Sequence, residues 1–200
     1  VCSNDEYNKM FASKGWILSD NLKDADLIQF TGGFDVSPSL YGQKIHSQTF
    51  CNTDRDRREV LIYNKAIQNK IPLAGICRGG QFLSVLNGGF MWQHVNKHAI
   101  FGTHKAVDSQ TGKSFGVTST HHQMMEPGKK GLVVLSAKES TFKEKMVKNH
   151  VLKIVEYKTS DTEAVFYEDT KTFCFQPHPE FKGYDELKNK YFEYLEQYLF

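Results

Sequence analysis

Gly75-Ile76-Cys77-Arg78-Gly79 places a thiol at the centre of a glycine-flanked pentapeptide, the G-x-nucleophile-x-G form of a nucleophile elbow. In such an elbow the nucleophile occupies a strained strand-to-helix turn, and neighbours without side chains avoid clashes and leave room for a substrate. The helix that follows points its positive end at the sulfur, which favours thiolate over thiol. An isolated cysteine is more often a buried, inert core residue. Here the apolar run before Cys77 and the glycines on both sides favour the nucleophile. A thiolate acting on an acyl group needs a base and a group that orients the base, and both can lie far off in sequence. Gln176-Pro177-His178-Pro179-Glu180 supplies them. In an extended segment His178 and Glu180 leave the backbone on the same side, so the carboxylate can fix the imidazole tautomer. The flanking prolines stiffen the segment.

The elements that must position these groups follow from hydrophobic spacing. A weakly amphipathic stretch over 5–14 reads as a helix, and 27–30 as a short strand halted by Thr31, Gly32 and Gly33. Thr53 is placed to cap a helix, and Val60, Tyr63, Ala66 and Ile67 then recur at helical spacing, which predicts a helix over 54–69. The charge run Asp54 to Arg58 reads as its solvated start. Pro72 ends the helix, and 72–76 reads as a strand covered on both faces. Phe82, Leu83, Val85 and Leu86 lie on a helix that stops at Gly88-Gly89, so Cys77 falls where a strand turns into a helix. Strands are predicted over 115–119, 132–136, 151–157, 163–167 and 172–175, the last leading into His178. A final helix is capped by Asp185 and carries the stripe Leu187, Tyr191, Leu195 and Tyr198. The early strand-helix alternation predicts an α/β fold, a doubly wound and mostly parallel central sheet with helices on both faces. Open sheets of that kind place their sites at the carboxyl ends of strands. A length of 200 residues suits a single domain over 1–200. Val1 and Cys2 fit the end of a first strand truncated before Val1, with 5–14 as its crossover helix.

Taken together, the elbow and the HPE segment resemble the class I glutamine amidotransferases. The similarity is closest to the branch that hydrolyses γ-glutamyl amides, the γ-glutamyl-γ-aminobutyrate hydrolase-like proteins, also called peptidase family C26. Gly32-Gly33-Phe34-Asp35 with Pro38, Leu40, Tyr41 and Gly42 is similar to that branch's GG-D-P-LYG segment, and Arg55-Asp56 with Glu59 to its RD-x-x-E helix start. Cys77-Arg78-Gly79-Gly80-Gln81, then Gly88-Gly89 and Gln93, resemble its CRG-x-Q and GG-x-x-x-Q stretch, and Ser119-Thr120-His121-His122-Gln123 its S-x-HHQ. The resemblance implies the flavodoxin-like amidotransferase fold. It also implies that Cys77 attacks a γ-carboxamide to form a γ-glutamyl thioester, releasing an amine and then glutamate. His178 serves as acid and base, and Glu180 orients it. The backbone N–H groups of Gly33 and Arg78 form the oxyanion hole, while Gln81, Ser119 and His121 bind substrate. Ser84 and Pro177 depart from the family, which often has Asn and Trp there. The region ahead of Gly32 is shorter than in many hydrolase members, which leaves the leaving group unspecified. The same residues would serve a glutaminase subunit that passes ammonia to a separate synthetase, so the substrate is a small γ-glutamyl compound or glutamine and a synthetase partner stays open. A non-catalytic binding module is disfavoured by the intact Cys77, His178 and Glu180.

Composition narrows the remaining classes. Lys and Arg number 25 against 23 Asp and Glu, a formal charge of +2, with Arg only at Arg55, Arg57, Arg58 and Arg78. No basic field announces nucleic acid or an anionic membrane. No apolar window is long enough to span a bilayer, and the chain reads as cytoplasmic. Cys2, Cys51, Cys77 and Cys174 are scattered without a CxxC pair and read as free thiols. His94, His98, His104, His121 and His122 are close in sequence, but their spacing fits no HExxH or paired CxxC pattern and no acidic residue accompanies the first three. No metal is therefore expected. No GxxxxGK[ST] phosphate loop is present, and no cofactor is expected either.

Overall fold

In the computed structural model, which describes residues 5–138, 141, 143–147, 150–154 and 161–200, helices and strands alternate through the first half and strands dominate the second. The elements are α1 (Asp5–Ala12), β1 (Ile28–Phe30), α2 (Thr53–Gln68), β2 (Leu73–Ile76), α3 (Arg78–Leu86), β3 (Phe90–Trp92), β4 (His94–Val95), β5 (Ala99–Asp108), β6 (Ser114–Thr120), β7 (Met124–Glu126), β8 (Leu132–Ala137), β9 (Lys143–Val147), β10 (His150–Ile154), β11 (Thr162–Tyr167), β12 (Thr172–Phe175) and α4 (Asp185–Leu199). The central sheet has the strand order β1-β2-β12-β11-β8-β5-β6.

Strand direction decides where chemistry can gather. β1, β2 and β12 are mutually parallel neighbours, with Phe30 opposite Gly75 and Phe175 opposite Ile76. Their carboxyl ends therefore meet at one edge of the sheet. From β12 outward every pairing in this sheet is antiparallel. The sheet is thus mixed rather than mostly parallel. Parallel pairing needs a crossover connection, which α2 supplies between β1 and β2 and the long path through α3 and the intervening strands supplies between β2 and β12; hairpin links such as β5–β6 and β11–β12 return the chain antiparallel.

Side chains alternate across the strands and build a core on each face. Ala74, Ile76, Phe173, Phe175, Ala164 and Phe166 pack against Tyr7 and Phe11 of α1 and the Leu187, Tyr191, Leu195 and Tyr198 stripe of α4. Leu73, Cys174 and Val165, from the same strands, face the other way onto Ala66 of α2 and Phe82, Leu83 and Val85 of α3. Helices thus cover both faces, as expected. Ser84 makes use of its departure from the family pattern, its hydroxyl lying 2.9 Å from that of Tyr167.

Local differences from the sequence reading have physical causes. Asn52, not Thr53, caps α2, its side chain accepting from the Arg55 N–H at 3.0 Å. Asp185 is the first residue of α4 and not its cap. The start of α2 is not a solvated charge run: Arg55, Asp56 and Glu59 are buried, whereas Asp54 and Arg57 pair in solvent. Positions 55 and 59 share a helix face, which the charge count alone does not distinguish. β10 covers only part of the strand expected over 151–157, whose remainder lies outside the described residues, as do Val1 and Cys2. Strands β3, β4, β5, β7 and β9 give no clear alternation in sequence. Most of β5 is exposed until its last residues, so polar side chains hide it.

Candidate active site

Cys77 follows β2 directly and has φ +51° and ψ −116°, a backbone state that non-glycine residues rarely occupy. Such strain costs about 1–3 kcal/mol and is kept where function needs it. Two contacts hold it there. The Cys77 N–H donates to the Phe175 carbonyl of β12 at 2.7 Å, and the Cys77 carbonyl accepts the Gln81 N–H at 3.0 Å, starting α3. The flanking glycines are sterically required: a Cβ on Gly75 would lie 2.4 Å from the Gly79 backbone, and one on Gly79 2.4 Å from the Phe30 carbonyl oxygen.

His178 leaves the end of the neighbouring strand β12, which is why residues so distant in sequence meet. Its N–H donates to the Thr118 hydroxyl at 2.6 Å, its ring faces the Cys77 side of the site across Gly32, and its Nδ1 lies 2.6 Å from Glu180 Oε1. Burial alone would lower the imidazole pKa. The charge of Cys77, followed by the Glu180 carboxylate, outweighs burial and lifts it to about 10. The imidazolium form then persists through neutral pH beside the sulfur. Because the folded value exceeds the ordinary 6.5, the stability this group contributes is full below pH 6.5 and fades as pH rises towards 10. Urea denaturation at pH 6 and pH 10 should therefore show a larger loss for the wild type than for His178→Gln. Equal losses would contradict the assignment of the charge to this ring.

The third parallel strand, β1, delivers Gly32 and Gly33. Gly32 lies between His178 and Cys77: a Cβ there would be 3.1 Å from His178 Cε1 and 3.6 Å from Cys77 Cβ. Arg55 reaches across from α2, Nη1 donating to the Gly32 carbonyl at 2.9 Å and Nη2 to the Thr31 carbonyl at 2.8 Å. A trans peptide points its N–H opposite its C=O. By gripping the Gly32 carbonyl, Arg55 therefore fixes the Gly33 N–H pointing away from itself. Gly33 adopts φ +138°, and a Cβ there would sit 2.4 Å from Arg55 Nη1, so no side chain fits. The Arg78 side chain is drawn away from the site into buried ion pairs with Asp56 and Glu59, leaving its backbone N–H at the start of α3 beside Cys77. Glu59 also accepts from Arg55 Nε at 2.8 Å, so one carboxylate ties the Gly33 side of the site to the Arg78 side.

A cavity of ≈ 500 Å³ opens in front of Cys77, lined by Gly33, Phe34, Asp35, Phe50, Arg78, Gln81, Thr120, His121, His122 and Gln123. Gln81 is buried, its amide donating to the Gln123 carbonyl at 3.1 Å and to Gln176 Oε1 at 3.0 Å. Ser119 is not brought to this cavity; it is buried and its hydroxyl donates to the His98 carbonyl at 2.8 Å. The side-chain period of two on β6 sends Thr118 and Thr120 to the site and Ser119 to the opposite face. Tyr7 of α1 is a contributor that sequence spacing does not single out: its hydroxyl accepts the Gly32 N–H at 3.0 Å. Burial, followed by the Glu180 charge, pushes its pKa well up, so it stays neutral.

The histidines fall into two groups. His46, His94 and His122 stack near the rim of the cavity, with His46 Nε2 3.2 Å from Glu144 and His122 Nε2 3.1 Å from Asp35. His98, His104 and His121 converge on Glu163, an acidic partner contributed by β11 and invisible from their own stretch of sequence.

The sequence profile of the Peptidase C26 family matches residues 12–152, well over half the chain. The chain belongs to the Peptidase C26 family. A glutamine amidotransferase-like protein of Lactococcus lactis subsp. cremoris, the YvdE homolog, is 33% identical over 138 residues, which is 57% of this chain and 73% of that one. Other relatives are spanned less fully: a matched stretch covers 40% of a Mycobacterium tuberculosis glutamine amidotransferase-like protein. Among solved structures, PurLQS from Thermotoga maritima aligns with a TM-score of 0.65 at 17% identity, covering 96% of this chain and 92% of that one. A glutamine amidotransferase from the same organism aligns with a TM-score of 0.60 at 15% identity, covering 96% and 78%. The fold of this C26 member is thus the class I glutamine amidotransferase fold, and the family is one of hydrolases acting on C–N bonds. No helix among the described residues is long and apolar enough to cross a membrane.

Proposed function

We propose that this C26 protein hydrolyses γ-glutamyl amides through a γ-glutamyl thioester on Cys77. The observation that carries the reading is the convergence of Cys77, His178 and Glu180 at adjacent strand ends, beside a cavity bordered by Gly33 and Arg78. The Cys77 thiolate attacks the γ-carboxamide carbon, and the oxygen's developing charge is met by the Gly33 and Arg78 N–H groups. As the C–N bond breaks, imidazolium His178 gives its proton to the departing amine. Neutral His178 then takes a proton from water, the resulting hydroxide attacks the thioester, and the C–S bond breaks to release glutamate and restore the thiolate. Glu180 keeps the ring oriented through both steps.

The cavity rim suggests how the amine half is met. Phe34 and Phe50 line the cavity yet remain 65% and 67% exposed, an apolar pair beyond the reacting sulfur. Phe34→Ala and Phe50→Ala should each raise KM for amides of bulky apolar amines by about 10-fold, with glutamine much less affected. Steady-state kinetics on the two substrate types checks this, and equal losses on both would contradict it. The same exposed pair suits a second reading, in which the chain is a glutaminase subunit docked on a synthetase. Assay of the purified protein with glutamine and a panel of γ-glutamyl amines separates the two. Amine release by the chain alone supports the free-standing hydrolase, whereas ammonia release only upon adding a synthetase replaces it.

A further inference from the structure

Behind the wall of the active-site cavity, His98, His121 and Glu163 present ligand atoms that all lie within 4.8 Å of one another, and all three side chains are buried. Their protonation follows from their outer partners. His121 Nδ1 lies 2.8 Å from the Gln123 carbonyl, which can only accept, so Nδ1 carries the proton and Nε2 is bare. His98 Nε2 lies 2.9 Å from Asp161, which Thr141 also bonds through its N–H and hydroxyl and with which Lys143 pairs. The carboxylate accepts a hydrogen bond from Nε2–H, so in the neutral ring Nδ1 is bare. These two bare nitrogens, neither with a hydrogen-bond partner, stand 3.4 Å and 3.8 Å from the same Glu163 oxygen. Lone pairs facing a carboxylate without a proton between them repel, and in a buried site the repulsion is weakly screened. A cation at their centre converts that repulsion into coordination.

We propose that His98 Nδ1, His121 Nε2 and Glu163 bind a first-row divalent metal ion, with zinc favoured by the ligand set, and that His104 closes the fourth position. Ligands about 2.0–2.1 Å from a tetrahedral ion are about 3.3 Å apart, near the 3.4 Å and 3.8 Å that separate the two nitrogens from the Glu163 oxygen. His104 Nε2 is 2.9 Å from the shared Glu163 oxygen, and its ring lies 4.8 Å from that of His98. The outer shell is the one that metal-bound imidazoles use: a carboxylate on one histidine and a backbone carbonyl on the other. An adjoining cavity of ≈ 380 Å³, lined by His98, His104, Lys105, Lys138 and Thr141, gives a path from the surface. Four protein ligands make the site structural, not catalytic. The ion ties β5, the β6–β7 link and β11 together, and so steadies His121 and Gln123 in the cavity wall.

The test uses the full 200-residue chain. Metal content is measured by mass spectrometry after equilibration with micromolar Zn²⁺, and Co²⁺ is titrated while visible absorbance is followed. One equivalent of Zn²⁺ per chain is expected, with four-coordinate Co²⁺ bands. Cys77→Ala should leave both unchanged. Asp161→Asn should weaken binding about 10–100-fold, and His98→Ala and Glu163→Gln should weaken it more. No stoichiometric binding by the wild type would overturn the proposal, as would full retention in folded His98→Ala. If those variants fail to fold, the wild-type Co²⁺ spectrum decides: bands from nitrogen and oxygen ligands alone support the site, and a thiolate charge-transfer band, which would assign the metal to Cys77, overturns it.

Discussion

Cys77→Ala is expected to lower kcat by about 10⁶-fold, the loss typical when the nucleophile of a cooperating triad is removed. Among the described residues no other thiol lines the cavity. The Cys51 and Cys174 thiols lie outside the site, and burial pushes the Cys174 thiol pKa well up. The residual rate should reflect binding and the N–H donors alone. The fold should survive, because the elbow is held by the Phe175 and Gln81 backbone contacts and not by the sulfur. Cys77→Gly adds a control. At φ +51° glycine is unstrained, so this variant should be more stable than Cys77→Ala by about 1 kcal/mol while equally inactive. Steady-state assays with urea melts check both halves. Activity within 10²-fold of wild type in either variant would remove Cys77 from the chemistry.

The second large effect belongs to a residue that touches no substrate. Glu59 accepts from both the Arg55 and Arg78 guanidinium groups in a buried setting. Glu59→Ala leaves two buried cations competing for the remaining acceptors, and removal of one partner from such a network costs about 3–5 kcal/mol. That is a large fraction of the 5–15 kcal/mol that holds an ordinary domain together. A functional loss should accompany it. Arg55 aims the Gly33 N–H, and once its own anchor is gone the donor loses its fixed direction, so kcat should fall by about 10²-fold with KM changed less. Glu59→Gln, which keeps one acceptor, should recover part of both. Asp54→Ala, on the exposed side of the same helix, should change neither. Denaturation and kinetics on the three variants check this, and Glu59→Ala indistinguishable from Asp54→Ala would contradict it.

What the sequence discloses about this site divides by the range of the interaction. The elbow is legible because its causes are local: a strand, two glycines within two residues of the cysteine, and a helix start. The HPE segment is legible for the same reason, since His178 and Glu180 interact across two positions. Their meeting depends on β2 and β12 being parallel neighbours, a pairing between segments about a hundred residues apart that no local spacing discloses. Motif similarity flagged Arg55, Asp56 and Glu59 but not their work, because burial on one helix face and exposure on the other look identical as a charge run. Ser119 was placed in the pocket where the structure puts Thr120, a one-residue error of the kind a period-two strand turns into the opposite face. The sequence argues against a metal because the histidine spacing fits no HExxH or paired CxxC pattern, no acid accompanies His94, His98 and His104, and the pocket resemblance accounts for His121 and His122. Glu163 on β11 and Asp161 just before it stand 59 positions from His104 and 63 from His98, and no spacing rule reaches that far. Tyr7 was one polar residue in a helix read only for its amphipathicity.

The most direct test is intact-mass and peptide mass analysis of the protein quenched during turnover of a γ-glutamyl amide. The account predicts one added γ-glutamyl group, located on the peptide that carries Cys77, accumulating further in His178→Gln and absent from Cys77→Ala. Turnover with Cys77 unmodified at every time point, or a glutamyl adduct that persists in Cys77→Ala, would contradict it.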